Sequence, residues 1–190
     1  LAASLLAGCA SSPKPRMYVF NNSDAEVAAA SRDANQSKFI VRGRTIRLPE
    51  YLDRPQMVTR VAGDQISADE FNRWGIPLSR LFGRELSLSV MSQLPDAFVD
   101  MQTWRGQDDT AYLVDVNVVR LDGKPGGSVD LEVQWQVAKP DQLDRPLAMR
   151  LNRYQRKAAD DSYSAYVEAV RLLVNDLGND ISAVIKADQP

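Results

Sequence analysis

The stretch VDLEVQWQV, residues 129–137, alternates apolar and polar side chains without exception. Val129, Leu131, Val133, Trp135 and Val137 fall on one side, and Asp130, Glu132, Gln134 and Gln136 on the other. Successive side chains of a strand point to opposite faces, so a period of two predicts a strand with one dry and one wet face. A wet face is the mark of an antiparallel sheet. AYLVDVNVVRL, just upstream, repeats the pattern with Tyr112, Val114, Val116 and Val118 opposite Asp115 and Asn117. Between the two, DGKPGGS (122–128) reads as a hairpin loop whose glycines suit a tight reversal. RPLAMRLNRYQ (145–155) offers a third strand.

A sheet with one apolar face must be covered. The chain ends in an amphipathic helix from about Asp161 to Lys186, where Tyr166, Val170, Leu173, Val174, Leu177, Ile181 and Ile185 follow a 3.6-residue period. Asp160 and Asp161 suit its N-terminus. Gly178 inside it costs about 1 kcal/mol relative to Ala, which points to a bend or a close contact. A second helix is expected between Ser67 or Asp69 and Leu94, with its core at 77–93, Pro77 in the first turn and Pro95 as the stop. MYVF (17–20) predicts a short strand, KFIVRGRTIRLP (38–49) is rich in strand formers, and PQMVTRVAGDQIS (55–67) reads as a hairpin turning at Ala62-Gly63-Asp64. The expected fold is α+β and two-layered: a mixed, mostly antiparallel sheet with two helices packed on one face. Residues 1–8 read as a signal-peptide remnant, 9–37 as a lipidated cysteine and tether, and 38–190 as a single globular domain.

The N-terminal assignment rests on LLAGCASS. Cys9 is the only cysteine, so no internal disulfide can form. Leu1 to Gly8 reads as the end of a signal peptide whose basic start lies upstream. Leu6-Ala7-Gly8-Cys9 resembles the lipobox of bacterial lipoproteins, which implies lipid attachment at Cys9; the alternative is an ordinary free cysteine near a cut site. Acyl chains contribute roughly 0.8 kcal/mol per buried methylene and would anchor the protein without a spanning helix. Ala10 and Ser11 after the cysteine resemble the pattern of outer-membrane rather than inner-membrane lipoproteins, placing the protein on the periplasmic face. No other segment reaches the roughly 18 apolar residues of a spanning helix.

With 23 basic and 25 acidic residues the chain has no charge excess that would suit nucleic acid. It has no histidine. Ser-His and Cys-His nucleophile pairs and histidine-bound zinc or haem are thereby excluded. Carboxylates, Lys, Tyr and Ser remain. Asp108 and Asp109 are adjacent and would point to opposite faces of a strand, a poor acid–base pair; Asp160 and Asp161 are better explained as helix N-terminal charge. GKPGGS lacks the spacing of a phosphate-binding loop. No catalytic residue, metal site or cofactor is expected.

LPEYLDRPQMVTR (48–60) interrupts two strand-like runs, with Pro49 and Pro55 bracketing Glu-Tyr-Leu-Asp-Arg. One reading is a solvated loop with Tyr51 on the edge of the core. The other is a stiffened docking edge in which Tyr51, Leu52, Asp53, Arg54 and Pro55 meet a partner, with Trp74 added from NRWGIPL (72–78). Trp74 and Pro77 are equally well read as a helix start packed on the sheet.

The lipobox, MYVF, YLDRPQ (51–56) and Arg-Trp-x-x-Pro-Leu (73–78) occur in the order found in the ABC-type transport auxiliary lipoproteins, the PqiC-like family, which this chain resembles. Ile76 stands where many relatives carry Glu. The resemblance implies a non-catalytic, outer-membrane subunit of a trans-envelope lipid transport system. Its partners would be a periplasm-spanning MCE-domain protein, which it docks to the outer membrane, and an inner-membrane transport component. A homo-oligomer and a lipid ligand in a groove between helix and sheet stay open. The competing readings are a structural lipoprotein assisting outer-membrane assembly or secretion, and a carboxylate-dependent periplasmic hydrolase.

Overall fold

The alternating segments pair as their patterns require. The computed structural model describes residues 13–23, 27, 33–102 and 110–189. The signal-peptide stretch, Cys9, Trp104 and the Asp108–Asp109 pair lie outside the described residues. Strands β1 (Arg16–Tyr18), β2 (Phe39–Arg47), β3 (Gln56–Ala62) and β4 (Gln65–Trp74) are followed by helix α1 (Leu78–Gln93). Then come β5 (Ala97–Asp100), β6 (Thr110–Gly123), β7 (Ser128–Ala138), β8 (Ala148–Lys157) and helix α2 (Tyr163–Asp188).

β6, β7 and β8 form the antiparallel half of a five-stranded sheet, with Val116 opposite Trp135 and Val133 opposite Asn152. Val129, Leu131, Val133, Trp135 and Val137 are almost fully buried. The sheet continues with β2 parallel to β6 and β5 parallel to β2, giving the order β5-β2-β6-β7-β8. Parallel neighbours need a long crossover, and here the chain between β2 and β5 supplies it through β3, β4 and α1. On the dry face α1 rests against β2 and β5, α2 against β7 and β8, and the helices against each other. The α+β reading, with two helices on one face of a mixed sheet, is correct.

The expected start of the first helix fails. The helix predicted to begin at Ser67 or Asp69 starts only at Leu78, with Pro77 as its cap rather than in its first turn. Residues 65–74 are instead β4, which with β3 and β1 builds a second, three-stranded sheet in the order β1-β4-β3. The reason is a bulge. Gln56 faces Arg73 while Met57 faces Asp69, so residues 70–72 have no counterpart on β3. The Asp69 carboxylate accepts hydrogen bonds from the backbone N–H groups of Phe71 (2.7 Å) and Asn72 (2.9 Å), holding the bulge. The period of two is broken at that point, and no strand pattern is legible across it. β1 pairs parallel to β4 from Arg16↔Asn72 to Tyr18↔Trp74, and Phe20 is buried in the core. Residues 16–20, within the stretch expected as tether, therefore pack with the domain.

The helix caps follow local chemistry. Ser162 caps α2, its hydroxyl accepting from the Ala165 N–H at 3.1 Å, and the Asp160 carboxylate accepts from the Ser162 N–H at 2.8 Å. Glycine at 178 marks the close approach of the helices. A Cβ added there would overlap the Ser89 hydroxyl oxygen and sit 2.7 Å from the Ser89 Cβ. Gly178→Ala is expected to lose stability, because about 1–3 kcal/mol of overpacking outweighs the roughly 1 kcal/mol gained in helix propensity. Adding Ser89→Gly should recover most of the loss in urea unfolding, whereas Ser89→Ala, which keeps the Cβ, should not.

Candidate functional site

Between β2 and β3 the chain makes a single 3₁₀ turn, Glu50–Leu52, entered through Pro49. The Leu52 N–H donates to the Pro49 carbonyl at 2.9 Å and the Asp53 N–H to that of Glu50 at 3.0 Å. This turn drives Leu52 into the core and leaves Asp53, Arg54 and Pro55 exposed. Tyr51 is half-buried, with its hydroxyl 3.4 Å from Asp122 Oδ1. Asp122 is itself buried and ion-paired with Arg60 at 2.9 Å and with Arg120 at 3.4 Å. Burial, reinforced by the Asp122 charge, pushes the Tyr51 hydroxyl above its ordinary pKa, so it stays protonated and fastens the turn to the sheet.

Two backbone hydrogen bonds draw three separate segments together here. The Trp74 N–H donates to the Pro55 carbonyl at 2.7 Å, and the Gly75 N–H donates to the Tyr18 carbonyl at 2.7 Å. The Trp74 ring lies edge-on to Phe20, centroids 6.1 Å apart, beneath the junction. Gly75 permits the approach, since a Cβ there would lie 3.0 Å from Val19 Cγ1 and 3.3 Å from the Tyr18 carbonyl oxygen. The result is an open cavity of about 270 Å³ lined by Met17, Arg54, Pro55, Ile76 and Pro77, with Asp53 beside them and Trp74 in its wall. Met17 is 68% and Ile76 40% exposed, an apolar rim with one guanidinium and one carboxylate.

Of the residues expected to meet a partner, the structure brings Asp53, Arg54 and Pro55 to one surface. Leu52 and Trp74 are corrected: each is 4% exposed and holds the surface from beneath. Tyr51 is mainly a fastening. Met17 and Ile76 complete the rim from the segments MYVF and NRWGIPL, and neither is among the residues expected to meet a partner. The only signal was that both are apolar residues in segments that carry the family resemblance. The cavity offers no nucleophile with an adjacent base. Among the described residues no group of three or more His, Cys, Asp or Glu could hold a metal ion. The apolar stripes of the helices close on the sheet: Phe82, Leu86, Val90, Leu173, Val174 and Leu177 have no exposed surface and are core.

A model of the ABC-type transport auxiliary lipoprotein component family matches residues 18–182. The chain belongs to this family. The match runs from the end of β1 into α2 and so takes in the 3₁₀ turn, the Trp74–Pro77 segment and both helix starts. No curated protein shows significant similarity to this auxiliary lipoprotein. Among solved structures, an uncharacterized protein shares the fold with a TM-score of 0.70 at 20% identity, covering 91% of this chain and 99% of the other. A Xanthomonas campestris protein does so with a TM-score of 0.59 at 13% identity, covering 80% of this chain and 86% of its own. No helix among the described residues of this auxiliary lipoprotein is long and apolar enough to cross a membrane.

Proposed function

We propose that this auxiliary lipoprotein is a non-catalytic subunit of a trans-envelope lipid transport system. It is held at the periplasmic face of the outer membrane through lipid on Cys9, and it docks a periplasm-spanning MCE-domain protein. The observation that carries the docking role is the junction of three distant segments on one surface, where Met17, Arg54, Pro55 and Ile76 surround an open cavity of about 270 Å³. An apolar rim beside an unburied guanidinium suits a protein anchor side chain better than a reaction, since hot spots join apolar packing to arginine. The site residues carry no arrangement for acid–base or nucleophilic work.

The test is co-purification of the full chain, in mild detergent, with MCE-domain proteins encoded near it in its genome. Arg54→Glu/Ile76→Ser is compared with wild type after both are shown to melt alike. Retention of an MCE-domain protein by wild type, with at least tenfold weaker retention by the variant, is the expected result. Equal retention by both would keep the partner and remove this surface as its site. Retention by neither would defeat the docking role and leave the assembly-factor reading in its place.

A further inference from the structure

β8 is the last strand of the five-stranded sheet. β7 takes its inner edge over ten pairs, from Ser128↔Lys157 to Val137↔Ala148, with no shift of register. Among the described residues no strand takes the outer edge. Natural sheets blunt such edges by shortness, bulges, cover or charge, because the unpaired N–H and C=O groups are a template for another extended chain. β8 is long and regularly paired, and charge is the protection its sequence shows.

The surroundings of this edge suit an added strand on both faces. On the wet side Met149 and Leu151 are 60% and 63% exposed, far more than the apolar residues of β7. On the helix side a cavity of about 360 Å³ opens between β8 and α2, lined by Leu147, Arg150, Ala183, Val184, Ala187 and Asp188, whose carboxylate is ion-paired with Lys139 at 2.9 Å. Side chains of a strand alternate between faces, so an added strand would send one set alongside Met149 and Leu151 and the other over the small residues of α2.

Charge selects the occupant. Residues 148–157 contain Arg150, Arg153, Arg156 and Lys157 and no acid. Arg153 is paired with Glu132 and Arg156 with Asp176. Arg150 lies over the Trp135 ring at 5.6 Å, and neither it nor Lys157 makes an ion pair among the described residues. A second β8 laid antiparallel and centred on Arg153 would set Arg150 against Arg156 and Arg153 against its own copy, and like charges facing across strands are destabilising. We infer that the free edge of β8 is a strand-addition site for an extended acidic segment, with apolar residues among its acids, of a partner protein. This site is independent of the Arg54–Ile76 surface.

The probe is a fluorescein-labelled ten-residue peptide of the repeat Glu-Glu-Val-Val, which puts acids on both faces of a strand as Arg150 and Lys157 require, titrated into the full chain in mild detergent and followed by anisotropy. Saturable binding is expected. It should weaken at least tenfold for the same peptide N-methylated throughout, which cannot donate backbone hydrogen bonds, and for Arg150→Glu/Lys157→Glu. Lys157→Glu alone leaves the Arg150–Trp135 contact intact and should weaken binding severalfold, so a folding defect of the double variant would not obscure the result. A peptide of the repeat Lys-Lys-Val-Val should prefer the charge-reversed variants. Absence of binding by the Glu–Val peptide would overturn the inference, as would equal binding of its N-methylated form. So would a dimer of the wild-type chain that Met149→Ser/Leu151→Ser abolishes, since the occupant would then be a second copy.

Discussion

Trp74→Ala is expected to cost about 3–5 kcal/mol of folding stability, the range for truncating a large buried aromatic. The side chain is 4% exposed and packs edge-on against Phe20, which belongs to the segment following β1. Its removal opens a cavity under the junction of β1, β4 and the 53–55 loop. β1 has only three residues paired to β4, so this packing contributes much of what holds it. Urea unfolding should show a lower midpoint for Trp74→Ala, while Trp74→Phe should lose less. Arg54→Glu, on the same surface but exposed, should stay within about 0.5 kcal/mol of wild type. The contrast separates support of the surface from contact with a partner. A loss below about 1 kcal/mol for Trp74→Ala would show that the indole is not part of the core.

Arg171→Ala should have an effect of similar size, with a pH signature. Glu85 and Arg171 are 2% and 8% exposed and meet between α1 and α2, Arg171 Nη1 lying 3.3 Å from Glu85 Oε1. Asn22 donates to the other Glu85 oxygen at 2.7 Å, tying the N-terminal segment to the helix pair. Removing one partner of a buried pair leaves an uncompensated charge, at a cost of about 3–5 kcal/mol. Burial dominates at Glu85 and holds its pKa above the ordinary 4.5, although Asn22 and Arg171 pull it down. A carboxyl raised in the folded state binds its proton more tightly there than in the unfolded chain. Its charge therefore costs stability above the folded pKa, and that cost fades as pH falls toward the unfolded value. Without Arg171 the folded pKa rises further and the window widens upward. The deficit of Arg171→Ala relative to wild type should be largest at pH 7 and shrink at pH 5, measured by thermal melts at both. A deficit of the same size at both would mean that Glu85 does not carry the loss. Replacing both members by apolar residues of similar volume, as in Glu85→Leu/Arg171→Met, should be far less damaging than Arg171→Ala.

Part of the candidate site was legible as well. Arg54 and Pro55 stand out because prolines bracket a short polar interruption between two strand-like runs. Trp74 was visible as an aromatic at a helix start, but sequence cannot tell an aromatic anchor facing a partner from one facing the core. Met17 and Ile76 become neighbours of Arg54 only through the parallel pairing of β1 with β4 and the hydrogen bond from Trp74 to Pro55. These contacts join residues far apart in the chain, and no local pattern encodes them.

The chain by itself determined the β6–β7 hairpin, the third strand β8, the β3–β4 turn and the apolar stripe of α2. Each follows from periodicities of 2 and 3.6 residues or from the backbone demands of a turn, properties of a short stretch. The tertiary structure alone decided that β4 is a strand rather than the start of α1, because Asp69 holds a bulge that interrupts the alternation. It alone placed β5, whose four residues are too few to show a period, and set β2 parallel to both β5 and β6. It alone buried Trp74 and Leu52 beneath the surface they were expected to form. In all these cases the deciding contact lies outside the element itself, and its free energy outweighs the local preference.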